Sequence, residues 1–207
     1  MTDSIAGIIL AGGRSRRMGE DKSLMRLAGS PLVARVTARL AAQSGRLALN
    51  ANGDPQRYEF LGLPIVADTT GDFAGPLAGI LAGLRWAGGA GFRRAATVAT
   101  DTPFFPIDLV EQLERATQDE DMIAVARCGG RAHPVFALWP TDCAPAVDAF
   151  LQSGQKASVL GFIERQRHVF VDFELIITSR GPLDPFFNIN TPAELAEAEQ
   201  IAAELDQ

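Results

Sequence analysis

Three stretches of this 207-residue sequence carry side chains whose type and spacing could handle a polyphosphate. The first is Ile8-Ile9-Leu10-Ala11-Gly12-Gly13-Arg14-Ser15-Arg16-Arg17-Met18-Gly19-Glu20-Asp21-Lys22, where an apolar run rich in β-branched residues empties into paired glycines and then into cations. Glycines let the backbone approach a ligand and point N–H groups at anionic oxygens. Arginine adds a planar fork matched to phosphate and lysine a compact point charge, so Arg17 and Lys22 suit a triphosphate. The second is Thr100-Asp101-Thr102-Pro103-Phe104, which sets an aspartate at the end of a small-residue run. A carboxylate at the lip of a sheet is costly unless it meets a cation, and one carboxylate suffices for Mg²⁺ when phosphate oxygens and water complete the shell. Asp101 is therefore the expected metal ligand, with an Asx-turn or helix cap as the plainer alternative. The third is Asn188-Ile189-Asn190-Thr191-Pro192-Ala193-Glu194. Thr191, Pro192 and Glu194 read as a capping box, which leaves Asn188 and Asn190 without a local explanation.

The elements that must hold these residues alternate. The run ending at Leu10 reads as a buried strand, Leu24 to Leu27 as a short extended piece, and Ser30-Pro31 as the entry to a helix with Leu32, Val33, Val36 and Leu40 on one face. Strands follow at Arg46–Leu49 and Leu63–Ala67, separated by a short helix over Pro55–Leu61. A helix with Leu77, Ile80, Leu81 and Leu84 at helical spacing precedes a strand at Ala95–Ala99, and a helix spans Ile107–Gln118. Met122–Arg127 and Val135–Trp139 read as strands joined by a hairpin-like connection through residues 128–133, His168–Phe173 as another strand, and Ala144–Leu151 and Ser158–Arg165 as helices. Such alternation predicts a doubly wound, mostly parallel sheet with helices on both faces. In that fold the first loop, Asn50, Asp68 and Asp101 all follow strands and share the carboxyl-end crevice. Gly75 and Gly79 leave a bare patch near the start of a helix, suited either to an anion or to close packing.

Composition narrows the partners. Apolar residues make up 47% and charged residues 21%, the balance of a folded domain. Net charge is −6, which disfavours nucleic acid as a partner, yet five cations lie between Arg14 and Arg26 against Glu20 and Asp21. A positive site on an acidic body suits a small polyanion. Cys128 and Cys143 lack the spacing of a zinc site or a disulfide framework. No stretch matches a membrane span, and the start of the chain does not resemble a secretory leader, so a cytoplasmic location is expected.

Neither phosphate-loop signature G-x-x-x-x-G-K-[ST] nor G-x-G-x-x-G is present. The first stretch instead resembles the L-A-G-G-x-S-x-R-M-G-x-D-K signature of the molybdenum cofactor guanylyltransferases. Gly75-Pro76-Leu77-Ala78-Gly79 is similar to their G-P-L-A-G, Asp101-Thr102-Pro103 to their D-x-P, and Asn188 to Pro192 to their N-x-N-T-P. The resemblance implies a Rossmann-like nucleotidyltransferase fold in one domain over residues 1–207, nucleotide-binding to about residue 105 and acceptor-binding beyond. It implies that Leu10, Ala11, Gly12, Gly13, Lys22, Asn50, Asp68 and Asp101 surround GTP. It also implies that Gly75, Gly79, His133, Asn188 and Asn190 face the acceptor, and that Asp101 holds Mg²⁺, with Mn²⁺ as an alternative.

The reaction so implied is transfer of GMP from GTP to the phosphate of molybdopterin or the molybdenum cofactor, with Arg17, Lys22 and Asp101 as the catalytic set. It needs positioning and charge neutralisation rather than a protein nucleophile. Transient contact with cofactor-biosynthesis or delivery proteins would follow. Alternatives are a relative using CTP or a sugar-phosphate acceptor, and a GTP-binding module without turnover. Leu-Ala-Gly-Gly, where cytidylyltransferase relatives tend to carry Leu-Ala-Ala-Gly, favours GTP. Whether Asp68 meets the guanine edge or the ribose stays open.

Overall fold

A computed structural model describes residues 4–11, 22–69, 75–117, 119–154 and 157–205. Its elements in chain order are β1 (Ile5–Leu10), β2 (Arg26–Leu27), β3 (Ser30–Pro31), α1 (Leu32–Ala41), β4 (Arg46–Asn50), β5 (Ile65–Val66), α2 (Pro76–Gly89), β6 (Arg94–Ala99) and α3 (Leu109–Ala116). They continue as β7 (Ile123–Cys128), β8 (Arg131–Pro140), α4 (Ala144–Gln152), α5 (Val159–Ile163), β9 (His168–Phe173), β10 (Ile176–Thr178), β11 (Gly181–Leu183) and α6 (Pro192–Leu205). Seven strands form one sheet in the order β5-β4-β1-β6-β8-β7-β9. All neighbouring pairs are parallel except those made by β8. This is the mostly parallel, doubly wound architecture expected from the alternation.

β1 lies at the centre because it has two apolar faces. Ile5 and Ile9 pack with Val33, Val36 and Leu40 of α1, whereas Ala6, Ile8 and Leu10 pack with Leu77, Ile80, Leu81 and Leu84 of α2. The strand's period of two thus assigns one helix to each face. α3 joins the α1 layer, and α4 and α5 join the α2 layer. The chain winds from β1 to β4 and β5, then crosses back to β6 on the other side of β1. The reversal puts a switch point between β1 and β6, at whose carboxyl ends such sheets hold ligands.

Four local readings change. Ser30 and Pro31 pair with Leu27 and Arg26 in a two-residue hairpin turning at Ala28 and Gly29, so α1 begins at Leu32 with no side-chain cap. The β7–β8 connection is a tight turn in which Gly129 and Gly130 take φ of 54° and 79°. Arg131 to His133 consequently belong to β8. α3 is shorter than its apolar pattern, since Ile107 is 72% exposed and Thr117 is already extended. The third core cluster, also unforeseen, brings Ala198, Ile201 and Ala202 of α6 back onto Leu27, Leu32 and Phe104. Within the described residues no helix is long and apolar enough to cross a membrane.

Candidate active site at the carboxyl edge of the sheet

Main-chain hydrogen bonds lock together the strands that border the switch point. The Ala11 N–H donates to the Asn50 carbonyl at 2.9 Å, and the Thr100 N–H to the Leu10 carbonyl at 3.2 Å. Leu10, Ala11, Asn50 and Asp101 are thereby fixed along one edge. Gly12, Gly13 and Arg17 lie outside the described residues.

Lys22 opens a short 3-10 turn, Lys22–Leu24, immediately beyond the glycine-rich segment. Buried Ser23 anchors that turn through a 2.9 Å hydrogen bond with the Tyr58 hydroxyl. The Lys22 ammonium donates to Asn190 Oδ1 at 2.5 Å and lies 3.9 Å from Asp101 Oδ2. Asp101 is held from two sides. Its carbonyl accepts the Ile189 N–H at 2.8 Å, and its Oδ1 lies 3.2 Å from the Thr102 hydroxyl, which also meets Asn188 Oδ1 at 2.5 Å. The segment Asn188–Asn190 therefore returns from far along the chain to the very pair, Lys22 and Asp101, that the motifs put forward. It is fixed there by the start of α6: Glu194 accepts the Asn190 N–H at 2.7 Å, and Thr191 Oγ1 accepts the Glu194 N–H at 3.2 Å. The Asn190 N–H above all holds the Glu194 carboxyl below its ordinary range.

Burial pushes the Asp101 carboxyl above the ordinary carboxylate value, with the Lys22 ammonium and the Thr102 hydroxyl pulling the other way. Its side chain nevertheless keeps 28% of its surface exposed. An under-solvated carboxylate with one hydroxyl partner, open to solvent and facing an ammonium, is a fitting donor for a hard divalent cation that brings phosphate oxygens and water as its other ligands. No three acidic, histidine or cysteine side chains converge into a ready-made metal cage among the described residues.

A second cluster sits at the ends of β4 and β5. Asn50, 2% exposed, donates its amide to the Val66 carbonyl at 3.0 Å and to Asp68 Oδ1 at 2.9 Å. Asn52 donates its amide to Asp68 Oδ2 at 2.7 Å and accepts the Asp68 N–H at 2.9 Å. Both oxygens of Asp68 are thus oriented by amides, and each retains a further acceptor position.

Gly79 does not present an open patch. It is buried in α2, and a Cβ built on it would stand 2.2 Å from Asn50 Oδ1 and 3.2 Å from Leu10 Cδ2. The bare Cα makes room for the Asn50 amide, so any part Gly79 takes in ligand binding is indirect. Gly75, at the N-cap of the same helix, is extended with φ 170° and packs loosely near the Ala157 carbonyl. His133 is on β8, which runs antiparallel and so turns its N-terminal end towards the edge where β6 finishes. Its ring stacks on Phe186 with centroids 4.5 Å apart, and its Nε2 lies 3.3 Å from Asp184 Oδ2. That environment is largely packing. Burial pushes the imidazole below its ordinary value against the pull of Asp184.

Sequence reasoning gave Asn52 and Thr102 no role of their own. Asn52 had one readable signal, its spacing of two from Asn50, which in an extended segment repeats a direction. Thr102 was hidden inside the same motif as Asp101.

The chain is similar to known proteins along almost its whole length. The family model described as MobA-like NTP transferase domain matches residues 7–169. A molybdenum cofactor guanylyltransferase of Mesorhizobium japonicum is 51% identical over 204 residues, spanning 97% of both chains. Its namesake from Rhizobium meliloti is 45% identical over 194 residues, spanning 93% of this chain and 89% of its own. In fold, the chain is similar to molybdopterin-guanine dinucleotide biosynthesis protein A from Archaeoglobus fulgidus, with a TM-score of 0.72, 24% identity and coverage of 96% and 99%. It is also similar in fold to 4-diphosphocytidyl-2C-methyl-D-erythritolsynthase from Anaerococcus prevotii, with a TM-score of 0.74, 12% identity and 98% coverage of each. With relatives of nearly half identity along almost the whole length, and a family model reaching from β1 into β9, the chain belongs to the molybdenum cofactor guanylyltransferases, nucleotidyltransferases with a MobA-like NTP transferase domain.

Proposed function

We propose that this enzyme transfers GMP from GTP to the terminal phosphate of molybdopterin or of the molybdenum cofactor. A phosphate oxygen of the acceptor attacks the α-phosphorus of GTP, the bond from that phosphorus to the bridging oxygen breaks, and pyrophosphate leaves with the bonding electrons. The acceptor monoester is largely ionised near neutral pH, so the step needs no general base. It needs opposed charges neutralised and held in line.

The observation that carries this reading is the convergence of Lys22, Asp101 and Asn190 beside the end of β1. Lys22 and Arg17 would neutralise the departing phosphates. Asp101 would hold a divalent cation, Mg²⁺ or Mn²⁺, which supplies Lewis-acid neutralisation of phosphate charge when bound. Thr102 and Asn188 keep the Asp101 carboxylate in place. Leu10, Ala11, Gly12, Gly13, Asn50 and Asp68 would surround the nucleoside, so the part of the chain to about residue 105 carries GTP and the remainder receives the acceptor. Asn188 and Asn190 belong to both parts. The reaction is assigned to the cytoplasm, where the two free cysteines, Cys128 and Cys143, would stay reduced.

Purified enzyme with molybdopterin and Mg²⁺ should release pyrophosphate from GTP and far less from CTP. Asp101→Ala should abolish that release while leaving the far-ultraviolet circular dichroism unchanged. Turnover with CTP in preference to GTP, or undiminished release by the variant, overturns the reading.

A further inference from the structure

Nothing above gives Asn52 a task, yet its geometry is that of a device. Asp68 follows β5 and Asn52 follows the neighbouring β4, so two adjacent strand ends are tied side chain to side chain. The tie is reciprocal, since the Asn52 amide donates to Asp68 Oδ2 at 2.7 Å while its carbonyl accepts the Asp68 N–H at 2.9 Å. On the other side, Asn50 donates to Oδ1 at 2.9 Å from a buried position against α2. A carboxylate bound through one oxygen can rotate about its Cβ–Cγ bond. One bound through both oxygens, by donors on opposite sides, has its plane set.

Between them Ala51 is 5% exposed, and its N–H donates to the Val66 carbonyl at 3.2 Å. The tripeptide Asn50-Ala51-Asn52 is therefore anchored in the middle and grips Asp68 with both ends. Asn52 itself is exposed and Asp68 half-buried. An exposed asparagine committed to two hydrogen bonds with one aspartate contributes little to a core, but it fixes a direction.

We propose that Asn52 is a specificity-positioning residue. Its amide and that of Asn50 set the plane of the Asp68 carboxylate, so that the acceptor positions left free meet two adjacent N–H donors, a ring N–H and an exocyclic amine, on one edge of a nucleobase. Bidentate pairing of this kind rejects a base lacking one donor, because an oriented acceptor is then left unpaired. The inference rests on the reading of this edge as the GTP site. It adds that base selection is set by a residue that does not touch the base.

The test is calorimetric titration of the full chain with GTP and with inosine triphosphate, which keeps the ring N–H but lacks the exocyclic amine. Wild type should bind GTP about tenfold more tightly than inosine triphosphate. Asn52→Ala should weaken GTP binding by about tenfold and draw the ratio of the two affinities towards one. A generally loosened loop would instead weaken both nucleotides equally and keep the ratio. Asn52→Asp, which sets a like charge beside Asp68, should lower GTP affinity further. Circular dichroism and melting temperature check that each variant is folded. A ratio in Asn52→Ala equal to that of wild type overturns the proposal while leaving the GTP reading intact. Failure of wild type to bind GTP overturns both.

Discussion

Replacing Gly79 by alanine should damage this protein even though alanine is the better helix former. In α2 the new Cβ would lie 2.2 Å from Asn50 Oδ1 and 2.9 Å from Asn50 Cγ, whereas ordinary contact begins at 3.4 Å. Asn50 has nowhere easy to go, since it is 2% exposed and its amide is committed to the Val66 carbonyl and Asp68 Oδ1. Moving it aside strands a buried amide at about 1–3 kcal/mol. Overpacking costs another 1–3 kcal/mol or so. Helix propensity returns only about 1 kcal/mol, so the net destabilisation should be around 3 kcal/mol. Gly89→Ala, at the last residue of the same helix, is the control, because no atom beyond its neighbours and the helix's own backbone lies within 4 Å of its built Cβ, and its stability should not fall. Urea unfolding of both variants measures the difference, and GTP titration of the folded Gly79 variant should show weakened binding through the disturbed Asp68. If Gly79→Ala matches Gly89→Ala in stability and binds GTP like wild type, the claim that α2 seats Asn50 by close approach is refuted.

Other outcomes follow from the same contacts. Lys22→Ala should lower kcat/KM for GTP by about 2–4 kcal/mol of transition-state stabilisation if the ammonium neutralises the leaving phosphates, and steady-state kinetics at fixed Mg²⁺ would show it. Thr102→Val removes the hydroxyl between Asp101 and Asn188. It should destabilise by about 1–3 kcal/mol and raise the Mg²⁺ concentration for half-maximal turnover, a titration that wild-type behaviour would contradict. His133 has a depressed folded-state value, so the unfolded chain binds its proton first and stability is lost as pH falls through about 6.5 towards the folded value. His133→Phe should therefore lose less stability between pH 7 and pH 5 than wild type in paired urea titrations.

The alternating strands and helices made the sheet legible in the sequence, and with it which strand ends share an edge. The first loop, Asn50, Asp68 and Asp101 could be put on one edge because in the sequence each comes at the end of an apolar strand pattern, and alternating elements make those strand ends coincide. The Lys22–Asn190 contact was not legible, since nothing in local periodicity tells residue 22 which residue 168 positions later will meet it. Gly79 stood open between an anion site and close packing because a glycine looks the same in sequence whether its missing Cβ faces solvent or a neighbour, and the structure decides for packing. The glycine pair Gly129–Gly130 made the hairpin between β7 and β8 readable, but not that β8 already starts at Arg131, since polar residues beside a turn look alike whether they pair or not. Ser30 and Pro31 carry helix-start chemistry, but pairing with Arg26 and Leu27 takes them first.

The return of Asn188–Asn190 to Lys22 and Asp101 has a consequence for how the molecule is made. A ribosome exposes the glycine-rich segment, the lysine and the aspartate long before the residues that tie them together, and α6 then closes onto Leu27 and Leu32 near the beginning. A nascent chain can hold a nearly finished sheet and still have its lysine untethered. Completion of the edge thus waits on residues made well after its lysine and aspartate, and until Asn188–Asn190 arrive that pair lacks the contacts that hold it in register.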